Sequence, residues 1–215
     1  MRQTRWLALF VLAFAPSAAH ADDTDPALRL GAGTNLFAWT GTTSDLGGTS
    51  QENDGYSIGI ISPSLSLDVG TLVTPWLALG VVGQGAYTSR GTGGGTAESF
   101  TYLALAYVEA SYRVDVARPF ARLYGGVSGS EAQTTISSVP SGPSTPATTS
   151  SNVVEGAFGG SIGVHCFVTP DFSISPYFAA LYLAGSGQTG GSPSMSYSIE
   201  TISLQVGVTF FGWVD

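Results

Sequence analysis

The chain has 215 residues and a net charge of −8, and all seven of its basic residues are arginine. So acidic a chain offers no basic face to nucleic acid, and its single cysteine, Cys166, excludes an internal disulfide framework. Hydrophobic residues make up 43% of the chain and charged residues only 10%, against about 25% charged in an ordinary soluble domain. Much of the surface is therefore expected to face something other than water.

The first predicted element is a secretory signal. Arg2 and Arg5 give a positive start, Trp6 to Ala15 an apolar run, and Ala19-His20-Ala21 a small-residue cleavage site. The run is too short for a transmembrane helix, which needs about 20 residues. Residues 1–21 are expected to be removed, leaving one domain over 22–215. No later apolar run approaches the length of a spanning helix.

The remainder reads as eight strands, predicted at 27–39, 57–71, 76–89, 99–113, 119–130, 153–167, 172–184 and 197–211. Each exceeds the 9–11 residues that a tilted strand needs to cross a bilayer. Three connections are tight and carry proline: Val73-Thr74-Pro75-Trp76-Leu77, Val116-Ala117-Arg118-Pro119-Phe120 and Val168-Thr169-Pro170-Asp171-Phe172. Proline fixes φ and donates no ladder hydrogen bond, so it belongs in such turns or at a strand start. Four connections are long and polar, at 41–55, 90–98, 131–152 and 185–196, and are expected to be mobile loops. Short turns alternating with long loops, over an even number of strands, is the pattern of an outer-membrane barrel.

Alternation fixes the faces. In the last strand Ile202, Leu204, Val206, Val208 and Phe210 share one side, and Thr201, Ser203, Gln205, Gly207 and Thr209 the other. Leu65, Leu67 and Val69 likewise oppose Ser64, Ser66 and Asp68. The charges decide which face points out. Asp68, Glu109, Arg113, Arg122 and Glu155 all fall on polar faces, and collecting them in one narrow lumen lets acids and arginines pair, as buried charges require. Ion pairs are expected there in place of an oily core. Trp76, Phe120 and Phe172 at the turns, with Phe167, Phe210, Phe211 and Trp213 at strand ends, are expected to form an aromatic girdle. Phe37, Trp39, Tyr87, Phe100 and Tyr102 are expected to form the opposite one.

Leu30-Gly31-Ala32-Gly33, the Thr-Pro turns before Leu77 and Phe172, and the closing Gly207-Val208-Thr209-Phe210-Phe211 carry a resemblance. The chain is similar to the small outer-membrane barrels of Gram-negative bacteria, the group of the outer membrane protein A transmembrane domain, protein X and the opacity proteins. The resemblance implies an all-β, eight-stranded antiparallel up-and-down transmembrane barrel. Its partners would be outer-membrane lipid, lipopolysaccharide and the barrel-assembly machinery, which reads a terminal aromatic residue. Here Gly212-Trp213-Val214-Asp215 follow Phe211 instead.

Reactive residues are few. His165 and Cys166 are adjacent, so a strand sends them to opposite faces and no Cys–His pair forms; His165 is expected in the lumen and Cys166 towards lipid. A lipid A deacylase barrel carries a serine two residues after its histidine, where this chain has Phe167. Asp45, Glu52 and Asp54 lack the spacing of a Ca²⁺ loop. Gly91-Thr92-Gly93-Gly94-Gly95 lacks the lysine and helix of a phosphate loop. No cofactor and no enzyme activity are expected. The sequence points to a structural or surface-interaction role exercised through four polar loops, whose extracellular partner it does not name. A narrow channel or hydrophobic-solute carrier, a lipid A-modifying enzyme and a soluble lipocalin-like barrel are the alternatives.

Overall fold

A computed structural model describes residues 28–58, 65–92, 95–114, 116–136, 147–190 and 195–214. The expected signal segment and its cleavage point lie outside these residues. The strands are β1 (Leu28–Leu46), β2 (Thr49–Ile58), β3 (Leu65–Thr74), β4 (Leu77–Thr92), β5 (Gly95–Ser111), β6 (Ala117–Ile136), β7 (Ala147–Thr169), β8 (Phe172–Gly190) and β9 (Met195–Val214).

All pairings are antiparallel, and β9 closes back onto β1 from Leu28↔Val214 to Asp45↔Ser198. Nine segments make eight staves. β2 pairs with β1 from Phe37 to Leu46 and β3 with β1 from Leu28 to Thr34, so the two lie in succession along one edge of β1. The ring β1-β3-β4-β5-β6-β7-β8-β9 closes on itself, as a strand protein in lipid requires, while β2 pairs with β1 alone.

The staves are longer than the alternation predicts. The segment 41–55, expected as a loop, is a paired hairpin with Gly47 and Gly48 at its tip, at φ of 59° and 86°. Two successive positive-φ residues make the two-residue turn whose twist matches its strands. β6 and β7 pair as far as Ile136↔Ala147, and β8 and β9 as far as Thr189↔Met195. The Ser/Thr/Gly composition concealed these extensions: outside lipid neither face need be apolar, so the alternation disappears while the ladder continues. At the other end, Pro75 and Pro170 sit in tight turns, whereas Pro119 lies just inside β6. Its carbonyl accepts from Tyr112 N, and only its missing N–H is lost to the ladder.

The apolar faces point outward. Leu65, Leu67, Ile202 and Phe210 are exposed while Ser66, Asp68, Ser203 and Thr209 are buried. The lipocalin-like arrangement, with the Leu204/Val206/Val208 face around an internal cavity, is thereby inverted. β1 keeps this phase through a bulge between Asn35 and Phe37, which leaves both Leu36 and Phe37 exposed.

The interior is layered. At the short-turn end Leu72, Ala78, Phe211 and Trp213 cluster, with Phe167 against them. Further in, Leu105, Ala157, Leu181 and Leu183 form a second apolar layer, flanked by Val82, Leu103 and Tyr124. The lumen is therefore not held by ion pairs alone. The girdle expected at the short-turn end is also corrected. Trp76, Phe172 and Phe210 face outward, but Phe120, Phe211 and Trp213 are buried, because their parity is that of Arg122 and Thr209.

Inward-facing glycines make room for these rings. A Cβ on Gly31 would stand 2.5 Å from Phe211 Cε1, and one on Gly80 would meet the Tyr107 hydroxyl. Each aromatic side chain thus lies flat across a neighbouring strand in a space that only glycine leaves.

Candidate functional site

Between the two apolar layers lies a charge cluster, and its centre is Glu109. Glu109 is fully buried. Its Oε1 accepts from Arg29 NH1 at 2.6 Å, and its Oε2 accepts from Arg29 NH2 at 2.6 Å and from Arg122 Nε at 2.6 Å. Arg122 NH1 donates to Asp68 Oδ2 at 2.7 Å. The Tyr107 hydroxyl donates to Asp68 Oδ1 at 2.7 Å and accepts from Arg29 NH2 at 3.0 Å. Two guanidiniums thus face two carboxylates, and the fork-on-fork pairing of Arg29 with Glu109 is the strongest form of such a contact.

The flat faces of the cations are covered too. Arg122 Cζ lies 4.6 Å from the Tyr107 ring centre and 4.7 Å from that of Phe120. Arg29 Cζ lies 5.3 Å from the Phe211 ring. Arginine suits this role because its weakly hydrated plane accepts aromatic stacking.

His165 completes the cluster. It is fully buried and stacks on Phe120 at 4.5 Å between ring centres. Its Nδ1 is 2.7 Å from Ser175 Oγ, and its Nε2 is 3.3 Å from Arg29 NH1 and 3.4 Å from Glu109 Oε1. A neutral ring with its proton on Nδ1 donates to Ser175 and accepts from Arg29, and leaves the four charges of the cluster balanced. Ser175, His165 and Glu109 resemble a hydrolytic triad only in residue type. All three are buried beneath Phe211 and Trp213, and Glu109 is occupied by two arginines.

Of the five residues the sequence singled out, the structure brings together Asp68, Glu109 and Arg122. Arg113 lies beyond β5 in the turn, exposed, with Cζ 5.7 Å from the Phe167 ring; β5 ends at Ser111, so the alternation no longer aims it inward. Glu155 is buried but sits farther along the barrel, where it accepts from Thr201 Oγ1 at 3.4 Å. Sequence reasoning missed Arg29 and Tyr107. Both carried a signal: Arg29 stands between the outward Leu28 and Leu30, and Tyr107 shares the phase of Glu109. Cys166 is exposed on the outer face, opposite in phase to His165.

Next along the lumen a hydrogen-bonded relay links the neighbouring strands β8, β9 and β1. The Tyr177 hydroxyl donates to Asn35 Oδ1 at 2.8 Å, Asn35 Nδ2 to Gln205 Oε1 at 3.1 Å, and Gln205 Nε2 to Ser203 Oγ at 3.1 Å. On the hairpin side of the leucine layer the lumen widens into a cavity of about 470 Å³, with Glu155 in its wall. Among the described residues no group of three or more His, Cys, Asp or Glu could hold a metal ion. Asp45, Glu52 and Asp54 instead lie along the first hairpin.

The family model for the outer membrane protein beta-barrel domain matches residues 6–210. No curated protein sequence matches the chain. Among solved structures, the fold is similar to the outer membrane protein OprG from Pseudomonas aeruginosa, with TM-score 0.50, 9% identity, and coverage of 88% of this chain and 98% of that one. It is similar too to the outer membrane protease OmpT from Escherichia coli, with TM-score 0.50, 8% identity, and coverage of 87% and 96%. Neisserial surface protein A aligns at TM-score 0.43 and 11% identity, over 85% of this chain and 95% of that one. At these identities the structural likenesses speak to fold alone. The match of the family model over nearly the whole sequence, on a closed ring of eight staves with its apolar face outward, shows that the chain belongs to the outer membrane protein β-barrel family and is a protein of the outer membrane of Gram-negative bacteria.

Proposed function

We propose that the protein is a sealed structural barrel, exported by its cleaved signal, that presents four polar hairpins at the cell surface for interaction with an extracellular partner. It is not an enzyme on this reading. The observation that carries it is the fully buried Glu109 cluster, capped by Phe211 and Trp213, which fills the lumen at the short-turn end. Eight staves leave an interior just wide enough for side chains, whereas open aqueous channels take about 16. The described functional groups support no chemistry directed at lipid: His165 faces the lumen, and two positions on, where a deacylase barrel carries its serine, stands Phe167, packed against the inner aromatic cluster. Short turns would lie in the periplasm and hairpins outside, the usual sense for such barrels. Lipid, lipopolysaccharide and the barrel-assembly machinery are the partners this architecture implies.

Planar-bilayer recording of the purified barrel tests the reading. Bilayers that stay silent after insertion support it. A steady, voltage-independent conductance in every inserted molecule would mean that the lumen is open and that the protein is a channel.

A further inference from the structure

The cavity on the hairpin side of the leucine layer has a wall unlike the rest of the lumen. Its one acidic lining group, Glu155, is 8% exposed. Whereas Asp68 and Glu109 each face a guanidinium, no described arginine pairs with Glu155, and its hydrogen bonds come from the hydroxyls of Thr201 and Ser128. A carboxylate withdrawn from water without a counter-charge is costly, and a cation placed beside it recovers that cost.

The rest of the wall narrows what the cation can be. Leu103, Leu181, Leu183 and Val153 form an apolar patch that suits an alkyl chain, within a wall otherwise lined mostly by hydroxyl and amide side chains. A single carboxylate is also too few ligands for a divalent ion, which takes six or more oxygens when it is Ca²⁺. The hydroxyls of Ser128 and Ser130 border the cavity alongside Glu155, and a primary ammonium has three N–H donors to share among such acceptors. About 470 Å³ lies within the usual range for small-molecule sites, roughly 300–1,000 Å³.

We propose that this cavity is a binding site for small primary alkylammonium compounds, with the ammonium on Glu155 and the alkyl chain on Leu181 and Leu183. The site goes beyond the sealed-barrel reading, since a barrel closed at one end still accepts a ligand from the other.

The test is methyl NMR of the barrel in lipid nanodiscs, following Leu181 and Leu183 while butylammonium, 1-butanol or butyrate is added. The expected result is saturable shifts with butylammonium, at least tenfold weaker binding of 1-butanol and no binding of butyrate. Glu155→Gln should weaken butylammonium at least tenfold. Equal binding of butylammonium and 1-butanol by the unaltered protein overturns the proposal, as does a Glu155→Gln variant that binds as well as the parent. Should Glu155→Gln not fold, the comparison of the three probes on the unaltered protein still decides.

Discussion

Glu109 grips Arg29 with both carboxylate oxygens, each at 2.6 Å, across 80 residues of sequence. Arg29 begins the first stave and Glu109 is near the short-turn end of the fourth, so this pair spans the lumen and ties opposite walls together. Charged groups so fully desolvated stabilise only as a complete set, and the loss of one member leaves the others uncompensated.

Arg122→Met should therefore lower the urea midpoint of the lipid-embedded barrel, by about 3 to 5 kcal/mol in unfolding free energy, without moving the hairpins. The cost arises from Asp68 and Glu109 left short of a cation. Adding Asp68→Leu should then recover part of the loss, because an apolar replacement of a whole buried pair is often neutral. A double variant weaker than the parent by the full sum of the single effects would count against coupling between the two residues.

Gly31→Ala should slow folding and lower the midpoint by about 1 to 3 kcal/mol, the usual scale of overpacking. Its methyl would press on Phe211 Cε1 and Cδ1 and on Thr209 Cγ2. Phe211→Leu in the same chain removes the ring that obstructs it, and the pair should be less destabilised than the sum of the two. Simple additivity would show that the ring and the glycine do not meet.

The inward turn of the closing aromatics has an optical consequence. With Trp39 replaced by Phe, the barrel starting at Asp22 keeps Trp76 and Trp213. Trp76 is 57% exposed and Trp213 3%. Brominated lipid should quench the first and spare the second, so that a further Trp76→Phe variant loses nearly all lipid quenching. Strong quenching of Trp213 alone would place it in the girdle the sequence suggested.

The membrane-facing part of the fold was legible because lipid enforces a period of two, plain in β3 and β9. It faded wherever that constraint ends. The hairpin extensions alternate weakly, and Gly47-Gly48 passed for part of a loop although two adjacent glycines are themselves a hairpin signal. In the lumen, parity alone put Asp68, Glu109 and Arg122 on one surface and His165 with them. Parity does not give depth, however, and only the stagger of the closed ring separates Glu155 from the cluster and leaves Arg113 beyond it. Phe120 and Phe211 were misplaced for a related reason. Aromatics near a strand end suit a girdle or a plug equally well, and phase with Arg122 or Thr209 was the discriminating observation.

The most direct test of a lumen sealed around Glu109 is equilibrium urea unfolding of Glu109→Gln in lipid vesicles. The change is nearly isosteric but removes the charge that faces both Arg29 and Arg122. A midpoint lowered by about 3 to 5 kcal/mol in unfolding free energy is the result predicted here. A midpoint within about 0.5 kcal/mol of the parent, the range of an ordinary surface substitution, would contradict the account.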